Sequence, residues 1–215
     1  VGKEVMAKAA KHLTPVTLEL GGKSPCVVDR TAKLELAAKR IAFGKLLNCG
    51  QTCVAPDYIL VERSVKDEFL VYLKKWIVRM YGADATENDA YVKMINQKHF
   101  DRVTGLIDPK KVVFGGGRNE RTMQIQPTIL DDVTAEDAVM QEEIFGPIFP
   151  ILPVDSMAEA EEFIRKREKP LALYLFTQNK ALAERFLRYV PFGGGCINDT
   201  IIHLATSRMG FGGVG

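Results

Sequence analysis

Residues 44–57 read Gly-Lys-Leu-Leu-Asn-Cys-Gly-Gln-Thr-Cys-Val-Ala-Pro-Asp and join a predicted helix to a predicted strand. The helix is predicted over 33–47 from apolar residues at helical spacing, and the strand over 58–61. Cys53 therefore lies just beyond a helix end, among turn-forming residues. Because a thiolate is a strong nucleophile and the pKa of a thiol falls near a helix end, this position predicts a nucleophilic cysteine.

Glu19 is the predicted partner of that thiol. It lies in Val16–Leu20, an apolar run that predicts a strand ended by Gly21-Gly22. Loss of solvation inside such a strand makes a carboxylate a stronger base, and a thiol with a carboxylate can form and then hydrolyse an acyl thioester. The local sequence alone leaves structural interpretations open for both residues, a buried apolar Cys53 and a solvent-facing Glu19.

Strands and helices alternate along almost the whole chain. Further strands are predicted over residues 25–28, 111–114, 124–130, 148–153 and 171–177. Helices are predicted over residues 1–11, 33–47, 64–80, 92–107, 135–141, 157–167 and 180–189. This order predicts an α/β fold with a largely parallel, twisted sheet flanked by helices. From Pro191 on, glycines break the pattern and leave a short predicted strand at 196–198.

Composition limits the classes of partner. The 215 residues are 47% apolar and 26% charged, which is typical of a soluble globular domain. The 29 basic and 27 acidic side chains are dispersed and leave a net charge of +2, so we expect no nucleic-acid partner. No apolar run reaches the roughly 18 residues of a membrane helix, so membrane association would need segments outside this sequence. We expect a cytoplasmic protein.

Cysteine and glycine patterns exclude further classes of site. The four cysteines are irregularly spaced, which predicts free thiols. Cys49 could line the helix interior, act as a redox partner of Cys53 or bind a metal with it. Because the histidines and the other cysteines are scattered, we predict no metal site. Gly22-Lys23-Ser24 matches the end of a phosphate-binding P-loop, but Thr17 stands where that motif requires glycine.

Three stretches of the sequence carry recognisable motifs: Leu18-Glu-Leu-Gly-Gly-Lys-Ser-Pro25, Gly50-Gln-Thr-Cys53 and Glu142-Glu-Ile-Phe-Gly-Pro147. Together they resemble the aldehyde dehydrogenase superfamily. Their order and spacing make the resemblance specific, and it covers essentially the whole chain. The sequences of Asn48–Tyr58 and Arg167–Tyr174 are similar to those of the class 3 branch, which includes fatty aldehyde dehydrogenases. The resemblance implies the fold of that family's catalytic domain.

The resemblance also implies a role for each site residue. Cys53 would attack the aldehyde to give a thiohemiacetal, its amide would donate to the developing oxyanion, and Glu19 would activate the water that releases the acid. Hydride transfer to NAD or NADP would leave the thioester. Glu143 would hold the nicotinamide ribose, with Phe145 packing beside it and Leu20-Gly21 near the nicotinamide. Without the resemblance, Glu143 would be taken for a charge at a helix end.

The expected domains follow from the same resemblance. Residues 1–12, with Gly2 at the end of a glycine motif, would be the trailing edge of a cofactor-binding domain. Residues 13–190 would be the catalytic α/β domain. Residues 191–215 would lead toward an oligomerisation arm. Within them, the sequence of Arg208–Gly213 differs from the usual sequence of the family.

The expected function is that of the family. We expect the whole protein to oxidise medium- or long-chain aliphatic aldehydes, or aromatic ones, as an NAD(P)-dependent homodimer. The segment alone, with most of the cofactor domain missing, is expected not to turn over as a dehydrogenase. Two alternatives stay open: a segment that keeps only thiol esterase activity, and a non-catalytic interaction module.

Overall fold

A seven-stranded sheet forms the centre of the fold in the computed structural model, which describes residues 1–214. Its inner strands are continuous buried runs, as expected of a sheet covered on both faces. In spatial order the strands are β3 (Val112–Phe114), β6 (Thr128–Leu130), β7 (Ile148–Val154), β2 (Tyr58–Glu62), β1 (Pro25–Val28), β8 (Ala172–Phe176) and β9 (Gly194–Ile197). Neighbours run parallel except for the antiparallel pair β3–β6. The expected α/β class with a largely parallel sheet is confirmed.

Six α-helices lie within the described residues, and all but the first connect strands. They are α1 (Gly2–Ala10), α2 (Leu34–Leu46), α3 (Lys66–Tyr81), α4 (Gln97–Gly105), α5 (Met157–Arg165) and α6 (Lys180–Tyr189). Short 3-10 turns lie at 47–50, 63–65, 85–87, 138–140 and 202–205. In residues 1–214, no helix combines the length and the hydropathy needed to cross a membrane.

The strand predicted over Val16–Leu20 is wrong. This segment pairs with no strand of the described chain, and Val16 and Leu20 are 39% and 67% exposed. An extended run becomes a strand only when a neighbour takes up its backbone hydrogen bonds. The strand that follows it, β1, already has β2 and β8 on its two sides. Glu19 is consequently exposed, not desolvated inside a sheet.

Two predicted helices are shorter than expected. The helix predicted over 92–107 begins at Gln97, because the Asn96 side chain accepts a hydrogen bond from a backbone N–H of the first turn and caps the helix there. The helix predicted over 135–141 is a 3-10 turn over 138–140.

The strand predicted over 124–130 is divided at Pro127. Its halves are β5 (Gln124–Ile125), which pairs with β4 (Arg118–Asn119) in a separate ribbon, and β6 in the main sheet. Proline has no N–H for a strand ladder, so the chain changes sheets at this residue.

Candidate active site

Three segments meet at one edge of the sheet. Residues 19–24 lead into β1, residues 51–57 into β2 and residues 141–147 into β7. Because β1, β2 and β7 are parallel neighbours, all three segments lie at the amino ends of their strands. The Asp57 N–H donates to the Ser24 carbonyl at 2.8 Å and joins two of the segments. The stretches that carry the family resemblance therefore converge.

A tight turn separates α2 from Cys53. Asn48 and Cys49 have φ values of 52° and 56°, left-handed conformations that cost about 1–3 kcal/mol each outside glycine. Gly50 has a φ of 74°, and a Cβ there would clash with the Gly146 carbonyl. Glycine at position 50 thus allows the cysteine segment to pack directly against the 141–147 segment.

Gln51 anchors the chain before the nucleophile. Its Nε2 donates to the carbonyls of Asn48 and Lys93, at 3.1 and 3.2 Å. Its Oε1 accepts the Ile95 N–H at 3.0 Å. Both ends of the amide are therefore engaged, and they tie the turn to the segment that precedes α4.

Tyr174 of β8 anchors the chain after the nucleophile. Its hydroxyl donates to the Val54 carbonyl at 2.6 Å, in a fully buried position. Nearby, the Cys49 thiol donates to the Tyr91 hydroxyl at 3.4 Å, and that hydroxyl donates to the Ile125 carbonyl at 2.9 Å. Burial raises the pKa of Cys49 to about 11, so this thiol is neutral at physiological pH. Its hydrogen bond to Tyr91 gives it a structural role.

Cys53 is half-buried, and its thiol lies beside the Glu19 carboxylate. Partial burial is the larger cause that raises the pKa of Cys53, and the charge of Glu19 together with hydrogen bonding to it adds to the rise. The lowered pKa expected near a helix end is therefore wrong. The helix end in question is the carboxyl end of α2, whose partial charge is negative and does not favour a thiolate. A carboxylate in this place is positioned to accept a proton from the thiol.

Glu143 lies against Gly21 at the entrance to β1. Gly21 has a φ of 85°, and a Cβ there would clash with the Glu143 carboxylate. That carboxylate accepts the Gly22 N–H. Burial is the main cause that raises the pKa of Glu143 to about 7, and this hydrogen bond opposes the rise. The charge of Glu143 also acts on the Cys53 thiol, so Cys53, Glu19 and Glu143 share one site.

Arg102 of α4 holds the segment that carries Glu143. Its guanidinium donates to Glu142 Oε1 at 2.9 Å, to the Glu143 carbonyl at 3.2 Å and to the Ile144 carbonyl. The two carbonyl contacts hold the backbone at Glu143 and Ile144, and the contact to Glu142 is to its side chain. This fixation is independent of the Glu143 side chain.

Lys23 and Asp57 hold the same segment from the sheet side. Asp57 Oδ1 accepts the Ile144 N–H at 2.9 Å, and Asp57 Oδ2 pairs with the Lys23 ammonium. Lys23 also donates to the carbonyls of Val139 and Glu142, at 3.0 and 2.8 Å. Buried ion pairs persist only when further hydrogen bonds satisfy them, and these contacts do so.

The surroundings of Glu143 fit a nicotinamide cofactor. Gly2, the first residue of α1, packs so closely that a Cβ there would lie 2.8 Å from Leu20 Cδ1 and 3.3 Å from Leu18 Cδ1. Leu20 is 67% exposed, and Phe145, with a φ of 51°, is 36% exposed. A carboxylate can accept bonds from ribose hydroxyls, and exposed apolar groups offer a surface for a flat ring. Within residues 1–214, no three His, Cys, Asp or Glu side chains cluster as metal ligands.

Three residues that shape the site were not singled out from the sequence: Lys23, Asp57 and Arg102. Lys23 lies inside Leu18–Pro25, which carries the family resemblance, and Asp57 lies inside Asn48–Tyr58, which is similar to the class 3 branch, so both placements are a usable signal. The sequence gives no signal for Arg102, because its hydrogen-bond acceptors are mainly backbone carbonyls about forty residues further along the chain.

Comparison with known proteins places these features in context. The model of the "Aldehyde dehydrogenase family" matches residues 1–215. The chain is 53% identical over 215 residues to the rat "Aldehyde dehydrogenase, dimeric NADP-preferring", covering 100% of this chain and 48% of that protein. It is 50% identical over 217 residues to the "4,4'-diaponeurosporen-aldehyde dehydrogenase" of Staphylococcus aureus, covering 100% and 47%. It is 50% identical over 215 residues to "Aldehyde dehydrogenase family 3 member A2" of Pongo abelii, covering 100% and 44%.

A solved structure is similar over nearly the whole chain. It is described as the substrate-bound state of Staphylococcus aureus AldH, with a TM-score of 0.97 and 49% sequence identity. The match covers 99% of this chain and 47% of that one. The chain thus spans about half the length of the curated relatives that it matches.

Proposed function

The chain belongs to the aldehyde dehydrogenase family, and from this premise we propose that the whole protein oxidises aldehydes to carboxylic acids with NAD or NADP. The relatives confirm the expected family and its class 3 branch. The observation that carries the proposal is the position of the Cys53 thiol beside the Glu19 carboxylate. This pairing gives a nucleophile its proton acceptor.

Cys53 is proposed to attack the carbonyl carbon of the aldehyde. The S–C bond forms as the thiol proton passes to Glu19, and the Cys53 N–H donates to the oxygen that gains negative charge. The cofactor, when bound, supplies the acceptor for the hydride, and Cys53 then carries a thioester. Glu19 then releases the thiol proton to solvent and takes a proton from water, whose oxygen attacks the thioester. The C–S bond breaks, the proton passes from Glu19 to the leaving sulfur, and the acid departs.

Glu143 is proposed to hold the nicotinamide ribose. Its carboxylate is fixed by the Gly22 N–H and, because its pKa is about 7, it carries a full charge only above neutral pH. Phe145 would pack beside the cofactor, and Leu20-Gly21 would lie near the nicotinamide. Gly2 would belong to the cofactor-binding segment that precedes the catalytic domain.

The proposed substrates are medium- or long-chain aliphatic aldehydes or aromatic aldehydes, and the proposed assembly is a homodimer. The similarity to a protein named for 4,4'-diaponeurosporen-aldehyde supports the substrate class, and the similarity to one named dimeric and NADP-preferring supports the dimer and the cofactor. We further propose that residues 1–12, 13–190 and 191–215 divide as the end of a cofactor domain, the catalytic domain and the approach to an oligomerisation arm.

The test uses the whole protein with decanal or benzaldehyde and with NAD or NADP. At about neutral pH we expect reduced cofactor to form, which its absorbance measures. We expect Cys53→Ser to abolish this cofactor reduction. Cys196→Ser, which alters the other half-buried thiol, is the matched control and should keep most of the activity. Cofactor reduction that survives in Cys53→Ser would contradict the proposal.

A thiol esterase activity is a second candidate, favoured by one observation. The Cys53 thiol and the Glu19 carboxylate both lie within this chain, and acyl transfer to a thiol followed by water attack needs no nicotinamide. Turnover of p-nitrophenyl acetate by the chain alone, lost in Cys53→Ser, would support it. A chain without this activity would favour the third possibility, a non-catalytic interaction module.

A further inference from the structure

A second half-buried thiol lies next to a histidine, and the chemistry proposed for Cys53 uses neither of them. Cys196 Sγ lies 3.7 Å from His203 Nδ1, within the hydrogen-bonding range of sulfur. The imidazole is half-buried like the thiol. A thiol in contact with an imidazole is a nucleophile beside a base, so this pair has the parts needed to form a bond to carbon.

The chain after β9 folds back and brings the two side chains together. Cys196 lies in β9, and His203 lies in the 3-10 turn that follows it. Between them the backbone reverses at Asn198 and Ile201, whose φ values are 59° and 50°. Asn198 is tied to the end of β8, because its Nδ2 donates to the Thr177 carbonyl at 2.9 Å and its Oδ1 accepts the Thr177 N–H at 3.0 Å. The contact between thiol and imidazole is therefore built into the fold.

The imidazole is held against the sheet. A Cβ on Gly194 would lie 2.8 Å from His203 Cδ2, so the ring packs on the bare backbone of β9. The ring centroids of His203 and Tyr174 are 5.9 Å apart. Thr200 Oγ1 donates to the Arg40 carbonyl at 2.8 Å and fixes the preceding loop to α2. A base held in this way needs little reorganisation before it takes a proton from the thiol.

The pair is neutral, and its surroundings stabilise the charge that a reaction creates. Burial raises the pKa of Cys196 and lowers the pKa of His203, so at neutral pH a protonated thiol faces an unprotonated imidazole. In the tautomer with its proton on Nε2, the imidazole accepts the thiol proton at Nδ1. The N–H groups of Ile202 and His203 donate to Cys196 Sγ. The charge of Arg40, which is paired with Asp199, also favours the thiolate.

The surroundings favour an electrophile that carries an apolar tail. Ile202 and Leu204, on either side of His203, are 58% and 41% exposed and offer apolar surface beside the pair. An α,β-unsaturated aldehyde has a carbon that a thiol can attack, because its carbonyl polarises the C=C bond, and it expels no group. The choice of an aldehyde rests on the proposed function, whereas the reactivity of the pair does not.

We propose that Cys196 and His203 form a second reactive site, at which the thiol adds covalently to α,β-unsaturated aldehydes. The S–C bond forms at the β-carbon as the thiol proton passes to His203 Nδ1, and the electron pair of the C=C bond moves toward the carbonyl to give an enolate. The imidazole then gives the proton to the α-carbon. The product is a saturated aldehyde joined to Cys196 by a thioether, so no group leaves and no oxidant is needed.

The first test uses the whole protein with Cys53→Ser, which removes the other half-buried thiol of this chain. This background protein is incubated with one equivalent of trans-2-nonenal, or with nonanal, which has the same length and no C=C bond. Peptide mass spectrometry should find the full mass of the unsaturated aldehyde on Cys196, and no adduct with nonanal that survives dilution. Cys26, which is 0% exposed, is the internal reference and should stay unmodified.

The second test removes the base. His203→Gln in the same background should slow the formation of the adduct at pH 7 by about 10²-fold, the lower end of what general-base catalysis contributes. Without the base, the rate should keep rising with pH as the thiolate fraction grows, whereas with His203 it should level off once the imidazole is unprotonated. His99→Gln alters another half-buried histidine and should leave the rate unchanged.

Three outcomes would overturn the proposal: no adduct on Cys196, an adduct that forms equally fast in His203→Gln, or one that slows equally in His99→Gln. His203→Asn provides the same test if the glutamine variant does not fold. Cofactor reduction by the parent protein with nonanal is measured in parallel. Activity without an adduct would overturn the second site alone, and an adduct without activity would overturn the proposed dehydrogenase function alone.

Discussion

The turn around Cys53 is packed into the fold, whereas the segment that carries Glu19 is open to solvent. Cys49 and Val54, on either side of the nucleophile, are 0% and 1% exposed, but Leu20 is 67% exposed. The nucleophile is thus held by buried hydrogen bonds, while the carboxylate reaches it from an unpaired segment. Substitutions in the two regions should therefore have different effects. Those in the turn should change the free energy of unfolding, and those in the segment should change catalytic activity alone.

The largest expected effect lies in the exposed segment. Glu19→Gln should lower steady-state turnover of an activated ester by about 10²–10⁴-fold, because general-base catalysis contributes that much. Its urea-unfolding free energy should change by less than about 0.5 kcal/mol, because the residue is exposed. A large loss of stability in this variant would show that the segment is structural after all.

Lys45→Met should give the largest stability effect on the buried side. The pKa of Lys45 falls from 10.5 to about 8 on folding, so the folded state resists protonation and loses stability as pH drops through this range. At pH 7 the variant should be more stable by up to about 3 kcal/mol, and the difference should shrink as pH rises from 8 to 10.5. Urea unfolding at pH 7 and pH 10 measures it; a difference independent of pH would contradict the explanation.

Tyr174→Phe should also act on the buried side. It leaves the Val54 carbonyl without its donor in a fully buried position, which costs about 1–3 kcal/mol. Leu20→Ala, in the exposed segment, is the control and should change the unfolding free energy by less than about 0.5 kcal/mol. Equal effects of the two substitutions would contradict the contrast between the regions.

The smallest effect concerns the thiol itself. Because the Glu19 carboxylate raises the pKa of Cys53, Glu19→Gln should lower that pKa and speed alkylation by iodoacetamide at pH 7.5. Cys196 in the same sample serves as the internal reference, and peptide mass spectrometry gives both rates. A slower reaction of Cys53 would show that the loss of Glu19 as proton acceptor outweighs the lowered pKa of the thiol, and it would contradict this prediction.

Local patterns predicted most of the fold, and pairing between distant segments explains the failures. The limits of β1 and α6 follow from turn residues and a cap beside them and agree with the prediction. Val16–Leu20 has the apolar pattern of a strand, yet no sequence window reveals that both sides of β1 are taken. A local pattern describes what a segment can pair with, not whether a partner is free.

The same limit applies to the candidate site. Cys53, Glu19 and Glu143 stood out through motifs, and the structure brings the three together. The contacts of Arg102 and the burial of Lys45 depend on segments far away in sequence. The raised pKa of Cys53 was missed because the partial burial and the nearby carboxylate that cause it are likewise non-local.

Cys53 is proposed to carry the acyl group and Glu19 to remove it, and the lifetime of the acyl-enzyme in Glu19→Gln tests both roles. The variant and the parent are mixed with p-nitrophenyl acetate, quenched at intervals and mapped by peptide mass spectrometry. We expect one acetyl group on Cys53 that persists in Glu19→Gln at least about a hundredfold longer than in the parent. An acetyl group on another residue, or equal lifetimes in the two proteins, would contradict it.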